Sequence, residues 1–392
     1  MQTEGDKIVQ PLIDALKFGG LWFDFSDHKY GEALKWCNII RNAIAFLVWG
    51  IITGYFFIGG LSFLLTESGV FMPISFDEGC MSIIVICNLP AVRNVIQIYN
   101  KRFDSFSSIP WARSIIDEEM NKFNKIFQLP KTALVVFYCL YSIAPLMYDG
   151  YRACVGNENP YVVSLPLNFL LELPMRRTPT FFLTVYLANI YFLIIVPRFI
   201  AFEALVLYMV AFVVIDVKIF IRKMEKLSEN DDGTEFIQKA WNLKDVTLHH
   251  SSIVCVVRDH FPLLGFAILL QNVSNSISSC LVIYLMKTSY NNGDIILAIF
   301  CGNFFVILMV INLMFNGAGV IIENQGELLL AAIYNTGWYK QPPSVRKEVN
   351  FMLMQGLKLL KISYKLNSVN LEAAMLVMNR AYSFFTLINT GE

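Results

Sequence analysis

The stretch NAIAFLVWGIITGYFFIGGLSFLLT, residues 42–66, carries no charged side chain. A helix needs about 20 mainly apolar residues to cross the hydrocarbon core of a bilayer, so this stretch predicts a transmembrane helix. The rest of the chain is similarly apolar, because 56% of its 392 residues are hydrophobic and only 16% are charged. Soluble proteins average about 25% charged residues. We therefore predict an all-α, polytopic membrane protein.

Six further segments are apolar enough to be spans. The second is weakened by Pro90 and Arg93, and the fourth is interrupted by Pro197, Arg198 and Glu203. Because the first forty residues contain no run typical of a cleavable signal peptide, the first span is expected to direct insertion. The six segments are Gly79–Tyr99, Lys131–Tyr148, Thr178–Ile215, Pro262–Met286, Ile295–Ile322 and Leu371–Ile388.

The basic residues predict the orientation of the chain. The segments 1–41, 100–131, 217–261 and 323–366 together contain 24 Lys and Arg residues, whereas the opposite side contains four, Arg152, Arg176, Arg177 and Lys287. Cytoplasmic loops carry the excess of Lys and Arg. The N-terminus is therefore expected in the cytoplasm and, with seven spans, the C-terminus outside, which is the reverse of a G-protein-coupled receptor.

The inner segments show helical periodicity rather than the composition of flexible linkers. Ile115–Phe127, Phe236–Arg258 and Val345–Leu360 have apolar residues at three- and four-residue spacing, which predicts amphipathic helices. We expect four regions in the chain. They are a cytoplasmic segment with a short re-entrant or interfacial helix (1–41), a bundle of spans 1–6 with inner helical extensions (42–322), cytoplasmic anchor helices (323–366) and a final span (367–392).

Most enzymatic and metal-binding chemistry lacks a signature here. The eight cysteines have no CxxC spacing, and no HExxH, GxxxxGK[ST] or GxSxG motif occurs. The adjacent His249 and His250 are expected on a helix surface or at an interface. The 31 basic and 31 acidic residues balance, and no basic tract suggests nucleic-acid binding. We expect no enzyme, no cofactor, no metal site and no nucleic-acid partner.

The last span has a narrow polar stripe. With 100° per residue and Glu372 set to zero, Asn379 lies at about 340°, Ser383 at about 20°, Thr386 at about 320° and Thr390 at about 0°. Two interpretations remain open from this pattern alone. Small polar residues pack between membrane helices, or they line an aqueous path with apolar neighbours as its constriction.

The C-terminal residues resemble the signature of insect odorant receptors. The runs AIYNTGWYKQPPSVRKEVNFMLMQGLKLLKISY (332–364) and LNSVNLEAAMLVMNRAYSFFTLI (366–388) contain an aromatic pair before a proline, an Arg-Lys leading a helix, and a Tyr-Ser-x-x-Thr-Leu core at residues 382–387. The resemblance covers nearly the whole chain. Supporting matches are GLWF (20–23), Leu165-Pro166, VYLAN (185–189) and a histidine before the fifth span.

The resemblance implies a tetrameric, ligand-gated, non-selective cation channel with seven helices per subunit. The last helix of each subunit would line one central pore, and the inner helices would form a shared anchor. Because its second cytoplasmic loop is short, the chain resembles an odour-tuning subunit that requires a co-receptor subunit. The implied pore residues are Ser383, Phe385, Thr386, Ile388, Asn389 and Thr390, with Phe385 and Ile388 just off the stripe as the constriction. The implied subunit contacts are Trp338, Tyr339 and Arg346.

The resemblance also implies a ligand pocket in the outer half of the bundle, walled by spans two to six. Its candidate residues are uncharged and would suit a small neutral volatile, which apolar burial would hold and one or two hydrogen bonds would orient. The implied partners are this odorant, the co-receptor subunit, the lipid bilayer, and monovalent and divalent cations. The implied location is the plasma membrane of an olfactory neuron dendrite. The candidates are Ile84, Tyr141, Tyr148, Phe182, Tyr186, Asn275, Ser279 and Asn303.

Three other functions stay open. A G-protein-coupled receptor is disfavoured by the predicted orientation and by the missing Asp-Arg-Tyr and Asn-Pro-x-x-Tyr motifs. A gustatory-type receptor channel would share the fold. A transporter is expected to have buried charge pairs and paired broken helices, neither of which the sequence suggests.

Overall fold

The computed structural model of the chain describes residues 3–22, 36, 39–47, 49–50, 54, 72–139, 144–156, 179–229, 236–357, 360–365 and 367–390. Most of the first predicted span therefore lies outside the described residues. Three of the described helices are long and apolar enough to cross a membrane, or four if one bent pair is a single span. The prediction of a polytopic helical membrane fold is confirmed.

The described helices are numbered in chain order, and a short antiparallel hairpin precedes the last one. They are α1 (Glu4–Gly19), α2 (Met72–Cys87), α3 (Leu89–Ser107), α4 (Pro110–Tyr138), α5 (Ala144–Cys154), α6 (Pro179–Glu229), α7 (Phe236–Asn291), α8 (Ile295–Tyr334), α9 (Pro343–Gly356) and α10 (Leu371–Thr390), with strands β1 (Ser363–Tyr364) and β2 (Asn367–Ser368).

Helix α1 has well-defined signals at both ends. The Thr3 hydroxyl accepts a hydrogen bond from the Asp6 amide at 3.1 Å, and the Asp6 carboxylate accepts one from the Thr3 amide at 2.8 Å. This capping box satisfies amides that would otherwise have no partner. At the other end, Gly20 adopts the left-handed backbone (φ 72°) that glycine tolerates best. The helix buries Leu12 and Leu16 and packs on α3 and α6.

The second predicted span is two helices. Helices α2 and α3 meet at Asn88 with a bend of 65°. Pro90 lies in the first turn of α3, where a missing amide hydrogen is tolerated, so the proline ends one helix and begins the next. The Asn88 side chain donates to the carbonyl of Ile84 at 2.8 Å and covers an acceptor at the end of α2.

Helix α6 is the centre of the bundle. It packs against α1, α4, α7 and α8, and every residue from 199 to 217 is buried. Apart from Glu203 and Asp216 this stretch is almost entirely apolar, which is the pattern of a helix surrounded by protein.

Two of the segments predicted to be cytoplasmic are continuous with predicted spans. The predicted amphipathic helix Phe236–Arg258 and the predicted span Pro262–Met286 form one helix, α7, with Pro262 inside it. Proline is tolerated in membrane helices where neighbouring groups compensate the lost backbone bond. Helix α8 likewise runs through residues 322 and 323 without interruption. The predicted helix Val345–Leu360 ends at Gly356, before the chain enters the hairpin.

Two buried charge clusters contradict the expectation that the chain lacks buried charge pairs. Arg198 of α6 pairs with Glu78 of α2 at 3.0 Å, and both side chains are almost fully buried. Asp216 of α6 pairs with Arg102 of α3 and lies 3.1 Å from the imidazole Nε2 of His249. Burying a charge is costly, and in these two clusters a partner on a different helix offsets that cost.

Of the two positions expected for His249 and His250, a helix surface or an interface, the structure shows an interface between helices. Both imidazoles are buried, whereas the neighbouring Leu248 is exposed. His249 faces Asp216, and the rings of both histidines lie near Phe220 of α6. The helix turns this polar pair inward because Asp216 and the aromatic ring provide partners there.

Candidate functional site

One face of α7 is polar although it is buried. Gln271, Ser274, Asn275, Ser278 and Ser279 recur at three- and four-residue spacing, so they share one side of the helix. The Ser274 hydroxyl donates to the Pro73 carbonyl of α2 at 2.7 Å, and the Asn275 amide donates to the Leu308 carbonyl of α8 at 3.0 Å. This face therefore meets both α2 and α8.

Several polar atoms on this face have no hydrogen-bond partner within the described part of the chain. They are Gln271 Oε1, Asn275 Oδ1, Ser278 Oγ and Ser279 Oγ. A buried polar atom without a partner costs about 1–3 kcal/mol. A ligand with a donor or acceptor at this face would recover part of that free energy.

The neighbouring surface is apolar. A hydrophobic cluster joins α7 and α8 beside the polar face, and Ile74 of α2 packs against it. Apolar walls with a few polar atoms are typical of sites for small neutral molecules. The buried members of this cluster are Leu281, Val282, Leu285, Leu297, Cys301, Phe304 and Leu308.

The structure brings together two of the predicted ligand residues, Asn275 and Ser279. Ile84 is partly buried on α2 and packs against the main core. Asn303 is exposed and donates to the Ile299 carbonyl of its own helix at 3.1 Å, so it lies away from the polar face. Tyr141 lies outside the described residues.

Three further predicted ligand residues are described only in part. Tyr148 lies in α5, and Phe182 and Tyr186 lie in α6, but their side chains fall outside what the structure describes. Sequence reasoning missed Gln271, Ser274 and Ser278. Their spacing from Asn275 and Ser279 was a readable signal, because all five side chains fall on one helical face.

The polar stripe of α10 lies on the side opposite the residues that this helix buries. Ala374, Val377 and Ala381 are buried where α10 packs on α7 and α8. Asn379 and Ser383 lie on the opposite side and are exposed. The Ser383 hydroxyl donates to the Asn379 carbonyl at 2.8 Å, within the same helix. Thr386 is partly buried, and the side chains of Asn389 and Thr390 fall outside the described part.

Phe385 and Ile388 do not flank the stripe as expected. At 100° per residue they lie at about 220° and about 160°, which is the packing side, and both are partly buried. Leu387, at about 60°, and Tyr382, at about 280°, lie next to the stripe. Both are strongly exposed, at 70% and 67%. The expectation of a Phe385 and Ile388 constriction beside the stripe is wrong for this reason.

A cleft of about 460 Å³ separates α7 from α10. Asn272 lines it from α7, and Glu372, Asn379 and Arg380 line it from α10. The cleft therefore has polar groups on both walls, and Glu372 and Asn379 of the stripe are among them.

The predicted subunit-contact residues lie where α8 ends and α9 begins. A short 3₁₀ turn, Trp338–Lys340, follows Gly337, whose φ of 66° permits the sharp change of direction. Trp338 is half-buried against the core, whereas Tyr339 and Arg346 are exposed. Phe351 and Met354 of α9 are exposed as well, so this end carries an apolar surface.

No group of His, Cys, Asp and Glu residues in the described ranges could hold a metal ion. The polar atoms near the α7 face are amides and hydroxyls, and none of them forms a nucleophile–base pair. The arrangement can bind and orient a ligand but offers no reaction chemistry.

Comparison with known proteins identifies the family and the fold. A family model described as 7tm Odorant receptor matches residues 101–382, more than half of the chain. The insect olfactory receptor OR5 from Machilis hrabei in complex with eugenol has the same fold, with a TM-score of 0.79 and 11% identity over 98% of both chains. A second structure of that receptor has a TM-score of 0.70 and 12% identity over 97% of both chains.

No curated protein is similar enough in sequence to count as a match. The resemblance that the C-terminal motifs indicated is nevertheless confirmed by the family match and by the shared fold. This chain belongs to the odorant receptor family, and it is a helical membrane receptor rather than an enzyme.

Proposed function

We propose that this receptor is the odorant-specific subunit of a ligand-gated, non-selective cation channel. It binds a small neutral volatile between α2, α7 and α8 and opens a pore that it shares with co-receptor subunits, as a tetramer. Its N-terminus lies in the cytoplasm, its C-terminus lies outside, and seven helices cross the plasma membrane of an olfactory neuron.

The observation that carries the proposal is the direction of the α10 stripe. Asn379 and Ser383 are exposed on the side of α10 opposite the buried Ala374 and Ala381. Polar groups facing hydrocarbon would be unfavourable, so this face requires water or another subunit. Copies of α10 around one axis would supply both, with the stripe lining a water-filled path.

The ligand side of the proposal rests on the buried face of α7. Asn275 and Ser279 supply uncharged polar atoms next to apolar walls, and no charged residue belongs to that face. A charged ligand would lose hydration there without a counter-charge. The receptor from Machilis hrabei was solved with eugenol, a small uncharged phenol. Neutral alcohols, esters and ketones should therefore outperform amines and carboxylic acids.

The partner surfaces follow from the exposed groups at the inner end. Tyr339 and Arg346, with Phe351 and Met354 beside them, form an apolar and basic surface that suits contact with a neighbouring subunit. Trp338 packs between that surface and the core, where it is half-buried. A co-receptor subunit is the expected occupant.

The test is current recorded from cells that express the chain with and without a co-receptor subunit. A panel of eugenol, geraniol, isoamyl acetate and acetophenone is applied under voltage clamp. We expect odorant-evoked cation current only when both subunits are present. Current from the chain alone would contradict the heteromeric part, and a response that persists only through a G protein would contradict the channel itself.

A cysteine pair separates a pore wall from a packing face. Ser383→Cys places a thiol on the stripe, whereas Ala381→Cys places one on the buried side of the same helix. A water-soluble thiol reagent should change the current of Ser383→Cys and leave Ala381→Cys and the treated wild type unaffected, because modification needs a water-exposed thiolate. No effect at residue 383 would favour the packing interpretation.

A further inference from the structure

Three buried asparagines connect α7 and α8 to the backbone of α10. The side-chain amides of Asn272 on α7 and Asn316 on α8 bond each other reciprocally, at 3.1 and 3.0 Å. Asn316 Nδ2 also lies 2.8 Å from Asn312 Oδ1, one turn earlier on α8. Asn312 Nδ2 reaches the carbonyl oxygen of Ala374 on α10 at 3.3 Å. We call Asn272, Asn312 and Asn316 the amide chain.

The amide chain is almost entirely buried, and Asn272 also lines the cleft between α7 and α10. Asn316 is fully buried, and Asn272 and Asn312 are at most 8% exposed. In an apolar surrounding a hydrogen bond is stronger than in water, and an amide that loses its partner leaves a costly unpaired group. The three side chains therefore hold one register between α7, α8 and the first turns of α10.

The segment that leads into α10 is fixed to the same two helices. A side chain at Gly319 of α8 would lie 1.8 Å from the Val369 carbonyl oxygen, and one at Gly265 of α7 would lie 2.7 Å from the Ser363 carbonyl group. Backbone approaches this close are possible only for glycine. The start of α10 therefore follows the positions of α7 and α8 and has little freedom of its own.

The amide chain begins next to the candidate ligand face. Asn275 follows Asn272 by three residues on α7 and bonds the carbonyl of Leu308, which precedes Asn312 by four residues on α8. The Asn275–Leu308 contact and the amide chain therefore lie on successive turns of the same two helices, α7 and α8. A ligand that changes the spacing at Asn275 and Leu308 would change the geometry at Asn272, Asn312 and Asn316.

We infer that the amide chain consists of positioning residues that couple the ligand face to the pore helix and set the gating equilibrium. This inference rests on the proposed channel function. A residue that sets the equilibrium between closed and open states changes the response to every agonist by a common factor, because it alters the two-state balance and not any one contact with ligand. A ligand-contact residue changes different agonists by different factors.

The test compares Asn316→Leu with Asn324→Leu in cells that also express the co-receptor subunit. Asn324 is the matched control, because it is an exposed asparagine of the same helix, α8, and should shift no agonist when replaced. Half-maximal concentrations of eugenol, geraniol, isoamyl acetate and acetophenone are measured with the basal current. Asn316→Leu should shift all active agonists by one common factor of about five or more, a typical coupling effect.

Surface biotinylation separates gating from folding. Asn272→Leu with Asn316→Leu removes both partners of the reciprocal pair, and such double apolar replacement is often tolerated better than leaving one amide unpaired. The double variant should reach the surface. Its half-maximal concentrations should show about the same common shift as those of Asn316→Leu alone, because the same amide chain is broken in both variants.

The outcomes distinguish the inference from the proposed function. If the wild type conducts with the co-receptor but Asn316→Leu shifts no agonist, or shifts agonists by unequal factors, the amide chain does not set gating. If neither the single nor the double variant reaches the surface, the amides are structural and the inference is wrong. If the wild type gives no current at all, the channel function itself fails.

Discussion

Helices α6 and α10 both place polar residues in an apolar helix, but they use them in opposite ways. In α6, Arg198 and Asp216 are buried and find charged partners on α2 and α3. In α10, Asn379, Arg380 and Ser383 are exposed, and none of them bonds to another helix in the part of the chain that the structure describes. Polar groups of α6 complete the subunit, and those of α10 remain available to water or to another subunit.

The difference shows how partners, rather than residue type, separate a structural polar group from a functional one. A charge in a membrane helix is expensive, so it stays only where a partner or water compensates it. For Arg198 the partner is visible inside the subunit. For Asn379 and Ser383 of the α10 stripe, no partner on another helix appears among the described residues.

Breaking the Arg198 pair should have the largest effect. Arg198→Leu leaves the Glu78 carboxylate buried without its cation, which costs about 3–5 kcal/mol for a buried pair. We expect loss of surface expression, measured by biotinylation. The exposed Arg346→Leu is the control and should reach the surface normally. Combining Arg198→Leu with Glu78→Leu should recover part of the loss, and no recovery would show that Arg198 has another essential contact.

A smaller effect is expected where α10 depends on α8. Gly319→Ala puts a methyl group 1.8 Å from the Val369 carbonyl oxygen, so the backbone before α10 must shift. Overpacking of this kind costs about 1–3 kcal/mol. The matched control is Gly317→Ala, which meets nothing within 4 Å on the same helix. A lowered melting temperature in purified receptor is expected only for Gly319→Ala, and equal melting temperatures would contradict the close approach.

The stripe itself can be tested by adding charge. Thr386→Asp, with the other subunits unaltered, should raise the permeability of divalent relative to monovalent cations. A unit charge acts with about 1 kcal/mol at 4 Å in water, or about a five-fold change. Tyr290→Asp adds the same charge at the exposed end of α7 and should change nothing. Strongly shifted agonist potency with unchanged permeability would make α10 a ligand-binding or packing helix.

Much of the fold was readable from the sequence because it depends on local patterns. The apolar runs located α6, α7 and α8, and the C-terminal motifs indicated the family. Pro90 only weakens the prediction of a second span, and the structure shows a bend beside it, at Asn88. The sequence predicts that a span starts at Pro262, but α7 is continuous through it. Neither periodicity nor composition shows whether a proline ends a membrane helix or lies within it.

Contacts between residues that are far apart in the sequence could not be predicted from it. Arg198 stood out as an interruption of a span, but its partner Glu78 precedes it by 120 residues and lies outside the predicted second span. The burial of His249 depends in the same way on Asp216. The approach of Gly319 to Val369 also has no local signal. The error at Phe385 and Ile388 was different, since the helical angle alone places both on the packing side.

The smallest expected effect lies on α7, where both kinds of polar group occur within one turn. The Ser276 hydroxyl donates to the Asn272 carbonyl at 2.9 Å, as the polar groups of α6 bond within the subunit. The Ser279 hydroxyl is buried and has no partner among the described residues, so it could bond to a ligand. Ser279→Ala should therefore raise the half-maximal concentration of oxygen-bearing odorants, while Ser276→Ala should not.

One net hydrogen bond of about 0.5–1.5 kcal/mol corresponds to a shift of about two- to twelve-fold in that concentration. Dose–response curves for geraniol and its hydrocarbon analogue myrcene, recorded with the co-receptor, measure this. The shift should appear for geraniol and be absent for myrcene. Equal shifts for the two odorants, or for the two serine variants, would place Ser279 with the structural polar groups and move the ligand face elsewhere in the bundle.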